Sequence, residues 1–129
     1  KIGLREHFSF PGKVLNSDVP MYLKAMDIGL IPNSNSYGSP MKLFEYMAMG
    51  IVPIVPELPP MVDVIKHGKT GLIFKSENKD DMRKQINIIC SDQELRNQIS
   101  KNAREQVMER HLWSHNVRHI LNVFSKINK

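Results

Sequence analysis

The stretch IVPIV, residues 51–55, restricts the fold more than any other part of this sequence. It is apolar at every position and rich in β-branched residues, so neither face of a strand formed here is suited to water. A strand that is buried on both faces is typical of a parallel sheet covered by helices. Two further short apolar segments, residues 28–32 and 71–74, predict neighbouring strands of the same sheet.

Helical patterns separate these strands along residues 7–90, and this alternation predicts an α/β fold. We expect a Rossmann-like parallel sheet with helices on both faces. Helices are predicted after caps at Ser17 or Asp18, over 40–49 and 60–66, and after caps at Asn78, Asp92 and Ser114. Phe8 and Phe10 alternate with polar residues and predict one more short strand, preceded by what reads as the tail of a helix.

Composition and charge narrow the class of protein. The chain has 129 residues, enough for one domain, and a net charge of +5 that is compatible with an anionic partner. Its basic residues are spread among acidic ones, with no basic block containing aromatics, so no nucleic-acid partner is expected. The single cysteine, Cys90, cannot form an internal disulfide, and we expect it to be a small core residue of a cytoplasmic protein. No apolar run is long enough to cross a bilayer.

The segment SPMKLFEYMAMG, residues 39–50, contains two opposite charges within an otherwise apolar helical run. Ser39 is suited to cap the helix and Gly50 to end it. On a helix with about 3.6 residues per turn, both charges fall on one side. The residues of that side are Lys42, Glu45, Tyr46 and Met49. The polar residues of this helix are therefore predicted to form one narrow face.

The start of this helix is predicted to lie at the carboxyl end of the sheet, where α/β proteins bind ligands. The backbone N–H groups of Met41, Lys42 and Leu43 would then face an anion such as a diphosphate, and the Lys42 side chain would add a positive charge. Glu45 is placed to accept hydrogen bonds from a diol such as a ribose. Together these groups predict a nucleotide site; the alternative is an ordinary surface ion pair between Lys42 and Glu45.

Longer stretches of the sequence resemble a known family. SPMKLFEYMAMGIVPIV together with DVIKHGKTGLIF resembles the C-terminal nucleotide-sugar-binding domain of retaining glycosyltransferases of the GT-B fold, family 4 type. FSFPGKV, VPMYLKAMDIGLIPN and NAREQVMERHLWSHNV extend the resemblance over nearly the whole chain. It implies that residues 1–129 are part of that domain, in one half of a GT-B enzyme, with residues 112–129 as the C-terminal helix. The N-terminal acceptor domain is then expected outside this chain.

The resemblance also implies roles for particular residues. Glu45 corresponds to the second acid of the family's Glu-x7-Glu pair, which binds ribose, whereas the first acid, which contacts the donor sugar, is replaced by Tyr37. The loop Gly12-Lys13-Val14 matches the segment that lies against the nucleobase; the alternative is a plain strand-to-helix turn. The expected donor is a nucleotide-diphosphate sugar, and no metal or other cofactor is expected. The catalytic residues remain unassigned.

The implied function is transfer of a sugar to an acceptor, in the synthesis of cell-surface glycans or glycolipids. The alternatives are a sugar-nucleotide epimerase of similar architecture and a degenerate, non-catalytic binding module. Expected partners are the donor, the acceptor held by the absent N-terminal domain, a membrane surface touched peripherally by the parent enzyme, and a second copy of this chain. The resemblance implies that the last helix crosses back onto the N-terminal domain. Without that domain, we expect this chain either to dimerise through the apolar stripe of the helix or to leave the helix poorly ordered; the alternative is a stripe that packs wholly on its own domain. The stripe is formed by Val117, Ile120, Leu121, Phe124 and Ile127.

Two other motifs, one like a phosphate-binding loop and one like a zinc site, are incomplete in this sequence. The segment HGKTG, residues 67–71, lacks the earlier glycine of a phosphate-binding loop, because Asp63 occupies that position; a turn into the next strand is predicted instead. The histidines at 111, 115 and 119 are spaced by four residues, but Leu112 stands where a zinc protease would have glutamate. No metal site is therefore predicted, and Trp113 is expected to be a packing anchor.

Overall fold

The computed structural model describes residues 3–127, and within them three parallel strands form one sheet in the order β1-β2-β3. The strands are Ile28–Leu30 (β1), Val52–Pro56 (β2) and Leu72–Phe74 (β3). Ile28 lies opposite Val52, and Ile54 lies opposite Leu72. All five residues of the central strand β2 are buried, as its sequence predicted.

Helices precede and follow each of these strands, which confirms the predicted α/β class. They are Val19–Lys24 (α1), Met41–Ala48 (α2), Pro59–Val62 (α3), Lys79–Ser91 (α4), Gln93–Arg110 (α5) and Trp113–Ile127 (α6). A short 3-10 helix, Arg5–His7, lies before α1. In the described part of the chain, no helix is both long and apolar enough to span a membrane.

The core consists of two apolar clusters, one on each face of the sheet. On one face Val55 packs with residues of α2, α3 and α5, namely Leu43, Met47, Met61, Ala103 and Val107. On the other face Val52 and Ile54 pack with Ile89 of α4 and Ile99 of α5. Helix α5 therefore contributes to both clusters, and the prediction of helices on both faces is confirmed.

The side-chain caps predicted at Asn78 and Asp92 are confirmed, whereas those predicted at Ser17 or Asp18, at Ser39 and at Ser114 do not form. The Asn78 side chain accepts a hydrogen bond from the Asp81 N–H at 2.9 Å, and Asp92 accepts one from the Leu95 N–H at 2.8 Å. Ser114 does not cap α6, because that helix already begins at Trp113. Helix α1 starts after Asp18, but no side-chain cap bond forms there.

The strand predicted around Phe8 and Phe10 does not form. The two rings stack on each other with centroids 6.2 Å apart, and Phe10 is 83% exposed. A strand needs a neighbour to satisfy its backbone groups, and no described strand pairs with this segment. Local alternation alone was therefore insufficient. Of the helix tail expected before this segment, residues 1 and 2 lie outside the described residues.

Cys90 is exposed, so the prediction that it is a core residue is wrong. Helix α4 buries Gln85 and Ile89, which are four residues apart and lie on one stripe. Cys90 follows Ile89 directly and is rotated by about 100° away from that stripe. The apolar residues around it suggested burial, but the helix presents only one narrow side to the sheet.

The helix predicted at the end of the chain is present as α6, and its last two predicted residues, 128 and 129, lie outside the described residues. None of the described residues of α6 is buried. Its apolar stripe faces outward along the whole helix, including Phe124, which is 62% exposed. The stripe predicted from the sequence is therefore real but has no partner within the described part of the chain.

Glu77 provides a test of backbone strain. Its φ of 63° places it in the left-handed region that disfavours side chains. We expect Glu77→Gly to raise the free energy of unfolding by roughly 0.5–1 kcal/mol, because glycine adopts this conformation without strain. Urea denaturation measures the change. Glu77→Ala is the matched control, since it removes the same side chain but keeps the strain; equal stability of the two variants would contradict the prediction.

Candidate functional site

The candidate site lies where the chain leaves β1 and enters α2, at the carboxyl edge of the sheet. Helix α2 begins at Met41, and its N-cap residue is Pro40 rather than the predicted Ser39. Ser39 instead uses its backbone carbonyl, which accepts a hydrogen bond from the Met41 N–H at 2.9 Å. At the other end Gly50 has a φ of 72°, a left-handed conformation typical of the residue that ends a helix.

The first turn of α2 offers fewer free donors than the sequence predicted. The Met41 N–H is donated to Ser39, and the Leu43 N–H is donated to the Pro40 carbonyl at 2.9 Å. Among the described residues, only Lys42 of the three expected donors has an N–H without an internal acceptor. The carbonyls of Ser39 and of the N-cap residue Pro40 are the two acceptors, so the segment that leads into α2 already bonds to its first turn. An anion at this end would meet one backbone donor, the helix dipole and the Lys42 ammonium.

Lys42 and Glu45 are both exposed, and the ion pair considered as an alternative does not form between them. The ion pairs found among the described residues lie elsewhere, and the two on helices are Arg83–Asp80 and Lys101–Glu105. Both charged groups of α2 are therefore accessible to a ligand.

Packing against the sheet sets the rotation of α2. Leu43 and Met47 are fully buried and direct one side of the helix into the core. The Tyr46 ring packs onto Gly29 of β1, where any side-chain carbon would collide with the ring. Burial, and secondarily the charge of Glu45, raises the pKa of Tyr46. Glu45 consequently lies on the side of α2 that faces away from the sheet.

Glu45 lies in a groove of about 430 Å³ between α2, the end of α5 and the start of α6. We call it the Glu45 groove. Its lining residues are Ser39, Met41, Phe44, Glu45, Ala48, Val107, His111, Leu112, Trp113 and Asn116. Three of the residues predicted for the site, Ser39, Met41 and Glu45, are thus brought together.

The other predicted site residues are placed differently. Gly12, Lys13 and Val14 lie in the loop before α1 and do not line the Glu45 groove. Gly12 has a φ of 72° and open space around it, so its backbone is accessible to a ligand. The Leu43 side chain belongs to the core. Tyr37 extends from the loop before α2 and is 87% exposed.

The structure adds His111, Trp113 and Asn116 to the surroundings of Glu45. Trp113 is 74% exposed, so the prediction that it is a packing anchor is wrong. The rings of Phe44 and His111 pack with centroids 5.2 Å apart and an interplanar angle of 35°. No local motif marks these residues, because the turn between α5 and α6 brings them to α2. Within residues 3–127, no group of three or more His, Cys, Asp or Glu side chains is placed to hold a metal ion.

The environment of His111 favours its neutral form. Burial against neighbouring side chains lowers its pKa, and the charges of Arg110 and His115 lower it further. The Glu45 groove therefore combines a carboxyl group, an imidazole whose neutral form is favoured and an exposed indole.

Comparison with known proteins gives a family match. A sequence profile of the family "Glycosyl transferases group 1" matches residues 1–106. An uncharacterized glycosyltransferase of Methanocaldococcus jannaschii is 26% identical over 125 residues, which cover 96% of this chain and 32% of the relative. A Campylobacter jejuni enzyme, N,N'-diacetylbacillosaminyl-diphospho-undecaprenol alpha-1,3-N-acetylgalactosaminyltransferase, is 29% identical over 93 residues, 72% of this chain and 24% of the relative. The chain thus spans a third or less of these relatives.

Solved structures share the fold. Anabaena HepE in complex with UDP and glucose superposes with a TM-score of 0.85 at 18% identity, over 96% of this chain and 33% of that one. The C-terminal domain of a glycosyl transferase group 1 protein, LpcC of Francisella tularensis, superposes with a TM-score of 0.71 at 19% identity, over 82% of this chain and 53% of that one. These likenesses confirm the predicted Rossmann-like fold of the GT-B type.

The pH dependence of stability tests the environment of His111. The unfolded chain binds a proton on this imidazole near its ordinary pKa of 6.5, whereas the folded chain binds it only at lower pH. The contribution of His111 to the free energy of unfolding is therefore complete above pH 6.5. It is lost as the pH falls through 6.5 toward the lower pKa of the folded state. We expect the urea midpoint of His111→Gln to fall less than that of the wild type between about pH 7 and pH 5.

The matched control for this measurement is His119→Gln, which removes an exposed histidine of α6. It should keep the pH dependence of the wild type. If the urea midpoints of His111→Gln and the wild type change with pH in the same way, His111 contributes nothing to the pH dependence of stability.

Proposed function

Because the chain belongs to the glycosyl transferases group 1 family, we propose that it forms the donor-binding part of an enzyme that moves a sugar from a nucleotide-diphosphate sugar to an acceptor. The observation that carries the proposal is the pair of exposed, mutually unpaired charges, Lys42 and Glu45, on the helix that starts at the carboxyl edge of the sheet. The family match favours sugar transfer over the epimerase alternative.

The proposed roles follow from chemistry and position. The diphosphate lies at the start of α2, where the Lys42 ammonium, the Lys42 N–H and the helix dipole neutralise its charge. The same groups stabilise the negative charge that develops on the departing nucleoside diphosphate, so the proposal needs no metal. Glu45, one turn further along α2, accepts hydrogen bonds from the ribose hydroxyls.

The nucleobase is proposed to lie against the loop Gly12-Lys13-Val14. The open, left-handed backbone at Gly12 supports this assignment, because a planar base can approach it without meeting a side chain. UDP is the first nucleotide to test, since Anabaena HepE was solved with UDP bound. The fold shared with the C-terminal domain of LpcC supports a C-terminal position in the parent enzyme. The assignment to a retaining enzyme of the family 4 type is proposed from the sequence resemblance of residues 39–55.

The wider setting is part of the same proposal. The acceptor is held by another domain of a cytoplasmic parent enzyme that touches the membrane peripherally and acts in the synthesis of cell-surface glycans or glycolipids. The Campylobacter jejuni relative, whose name specifies an undecaprenol-linked substrate, supports this setting.

Replacement of Glu45 tests the ribose contact. We expect Glu45→Gln to weaken UDP binding by roughly 1–3 kcal/mol, the contribution of one or two hydrogen bonds to a charged acceptor. Isothermal calorimetry on this chain measures the affinity for UDP and, for comparison, GDP. Glu94→Gln, which neutralises an exposed acid at the start of α5 outside the groove, is the control. If both variants bind UDP as the wild type does, Glu45 has no ribose contact.

The exposed stripe of α6 leads us to propose that this chain by itself forms a homodimer. Val117, Leu121 and Phe124 are each more than half exposed and lie on one side of the helix, a surface that favours burial against a second copy. Sedimentation velocity should give a dimer for the wild type and a monomer for Phe124→Glu, which places a charge within the stripe.

Asn122→Glu is the matched control, because it adds the same charge on the opposite side of α6. It should remain dimeric. A wild-type chain that stays monomeric at its highest attainable concentration would exclude the dimer.

A further inference from the structure

A second cavity lies at the carboxyl edge of the sheet, between the segment that follows β1, the end of β3 and the start of α4. Its volume is about 270 Å³, and we call it the Glu77 cavity. Its lining residues are Pro32, Asn33, Phe74, Glu77, Asn78, Lys79 and Met82, none of which lines the Glu45 groove. The carboxyl edge is where α/β proteins bind ligands, and the proposed donor roles leave this part of it unused.

The floor of the Glu77 cavity is apolar. Phe74 is 2% exposed, Met82 is half-buried, and the ring of Pro32 completes the apolar surface. A volume of 270 Å³ corresponds to roughly nine waters at about 30 Å³ each. The cavity therefore has room for one small ring with an apolar face.

Two carboxamides on the rim of the cavity are held in fixed orientations. The side-chain oxygen of Asn33 accepts a hydrogen bond from the Ser34 N–H at 2.8 Å, and that of Asn78 accepts one from the Asp81 N–H at 2.9 Å. Among the described residues, neither side-chain NH₂ group donates to an internal acceptor. Because the oxygens are already used, the rim offers two NH₂ groups as hydrogen-bond donors to a ligand.

Glu77 supplies an acceptor at the tip of a tightly bonded turn. The Asn78 N–H donates to the Lys75 carbonyl at 3.0 Å, and the Ser76 hydroxyl donates to the Glu57 carbonyl at 2.9 Å. Between these bonds Glu77 keeps the left-handed φ of 63°, a strained conformation of the kind that is concentrated at binding sites. The ion pairs found among the described residues do not include its carboxylate.

The charges around the Glu77 cavity restrict the class of ligand. Besides Glu77, the start of α4 carries the carboxylates of Asp80 and Asp81, so an anion is repelled despite the ammonium of Lys79. A metal ion is disfavoured as well, because no group of three His, Cys, Asp or Glu side chains within residues 3–127 is placed to hold one. The remaining class is a neutral ligand that both donates and accepts hydrogen bonds.

We propose that the Glu77 cavity is a second carbohydrate site, which binds one neutral sugar ring. The Glu77 carboxylate accepts hydrogen bonds from two neighbouring hydroxyls, and the NH₂ groups of Asn33 and Asn78 donate to hydroxyl oxygens. The C–H face of the ring covers the apolar floor, where its burial removes apolar surface from water. In the enzyme proposed above, and resting on that function, the ring belongs to the glycan that accepts the transferred sugar.

NMR of the ¹⁵N-labelled chain tests this site directly, because side-chain NH₂ groups give their own signals. The probes are the methyl glycosides of glucose, galactose and N-acetylglucosamine, each titrated to tens of millimolar. We expect at least one of them to shift the NH₂ signals of Asn33 and Asn78 and the backbone signal of Glu77. Saturating UDP should leave these shifts in place, because the Glu77 cavity and the Glu45 groove share no residue.

Two variants of Glu77 separate binding from folding. Glu77→Gln should weaken the glycoside roughly tenfold or more, the loss expected for one hydrogen bond to a charged acceptor. Glu77→Gly, which we expect to be more stable than the wild type, should also lose the glycoside. Glu94→Gln, which neutralises an exposed acid of α5 outside the cavity, is the matched control and should bind it as the wild type does.

The inference is overturned if none of the three glycosides shifts the signals of Asn33 and Asn78, or if Glu77→Gln binds as tightly as the wild type. Displacement of the glycoside by UDP also overturns it, since the ring would then lie in the donor site. A chain that binds the glycoside but not UDP overturns the proposed donor function and leaves the second carbohydrate site standing.

Discussion

The complete burial of β2 is the constraint on which the rest of this structure depends. Val55 faces one apolar cluster while Val52 and Ile54 face the other, so helices must cover both sides of the strand. Burial of each large apolar side chain contributes roughly 1.5–3 kcal/mol, and a strand that contributes to two clusters links both layers. Helix α5 strengthens this link, because Ile99 and Val107 belong to different clusters.

The position of the candidate site is a consequence of that packing. Leu43 and Met47 must face Val55, and Tyr46 fits only because Gly29 has no side chain. Once these three contacts are made, the rotation of α2 is fixed and its charged residues remain in water, where their hydration is kept. Two charges inside an apolar run thus mark the side of α2 that the core does not use. This side is the one that is free to meet a ligand.

Apolar surface that the core does not cover is concentrated near the two ends of the chain. Phe10 near the start, and Trp113 and Phe124 near the other end, are all more than half exposed. The apolar stripe of α6 is a surface of the kind that favours contact with a second apolar surface. Phe10, Trp113 and Phe124 do not belong to the sheet core, since none of these residues packs in either cluster.

The sequence alone determined the fold class, the central strand, the caps at Asn78 and Asp92 and the end of α2 at Gly50, because each depends on local periodicity or on one residue's backbone preference. It also placed both charges of α2 on one side. Only the tertiary structure decided that the carbonyls of Ser39 and Pro40 accept two of the N–H groups at the helix start, that Cys90 is exposed and that no strand forms at Phe8. It alone brought His111 and Trp113 to Glu45, through a turn between two helices that are distant from α2 in sequence. Contacts between distant segments depend on which surfaces the core leaves free, and no local pattern carries that information.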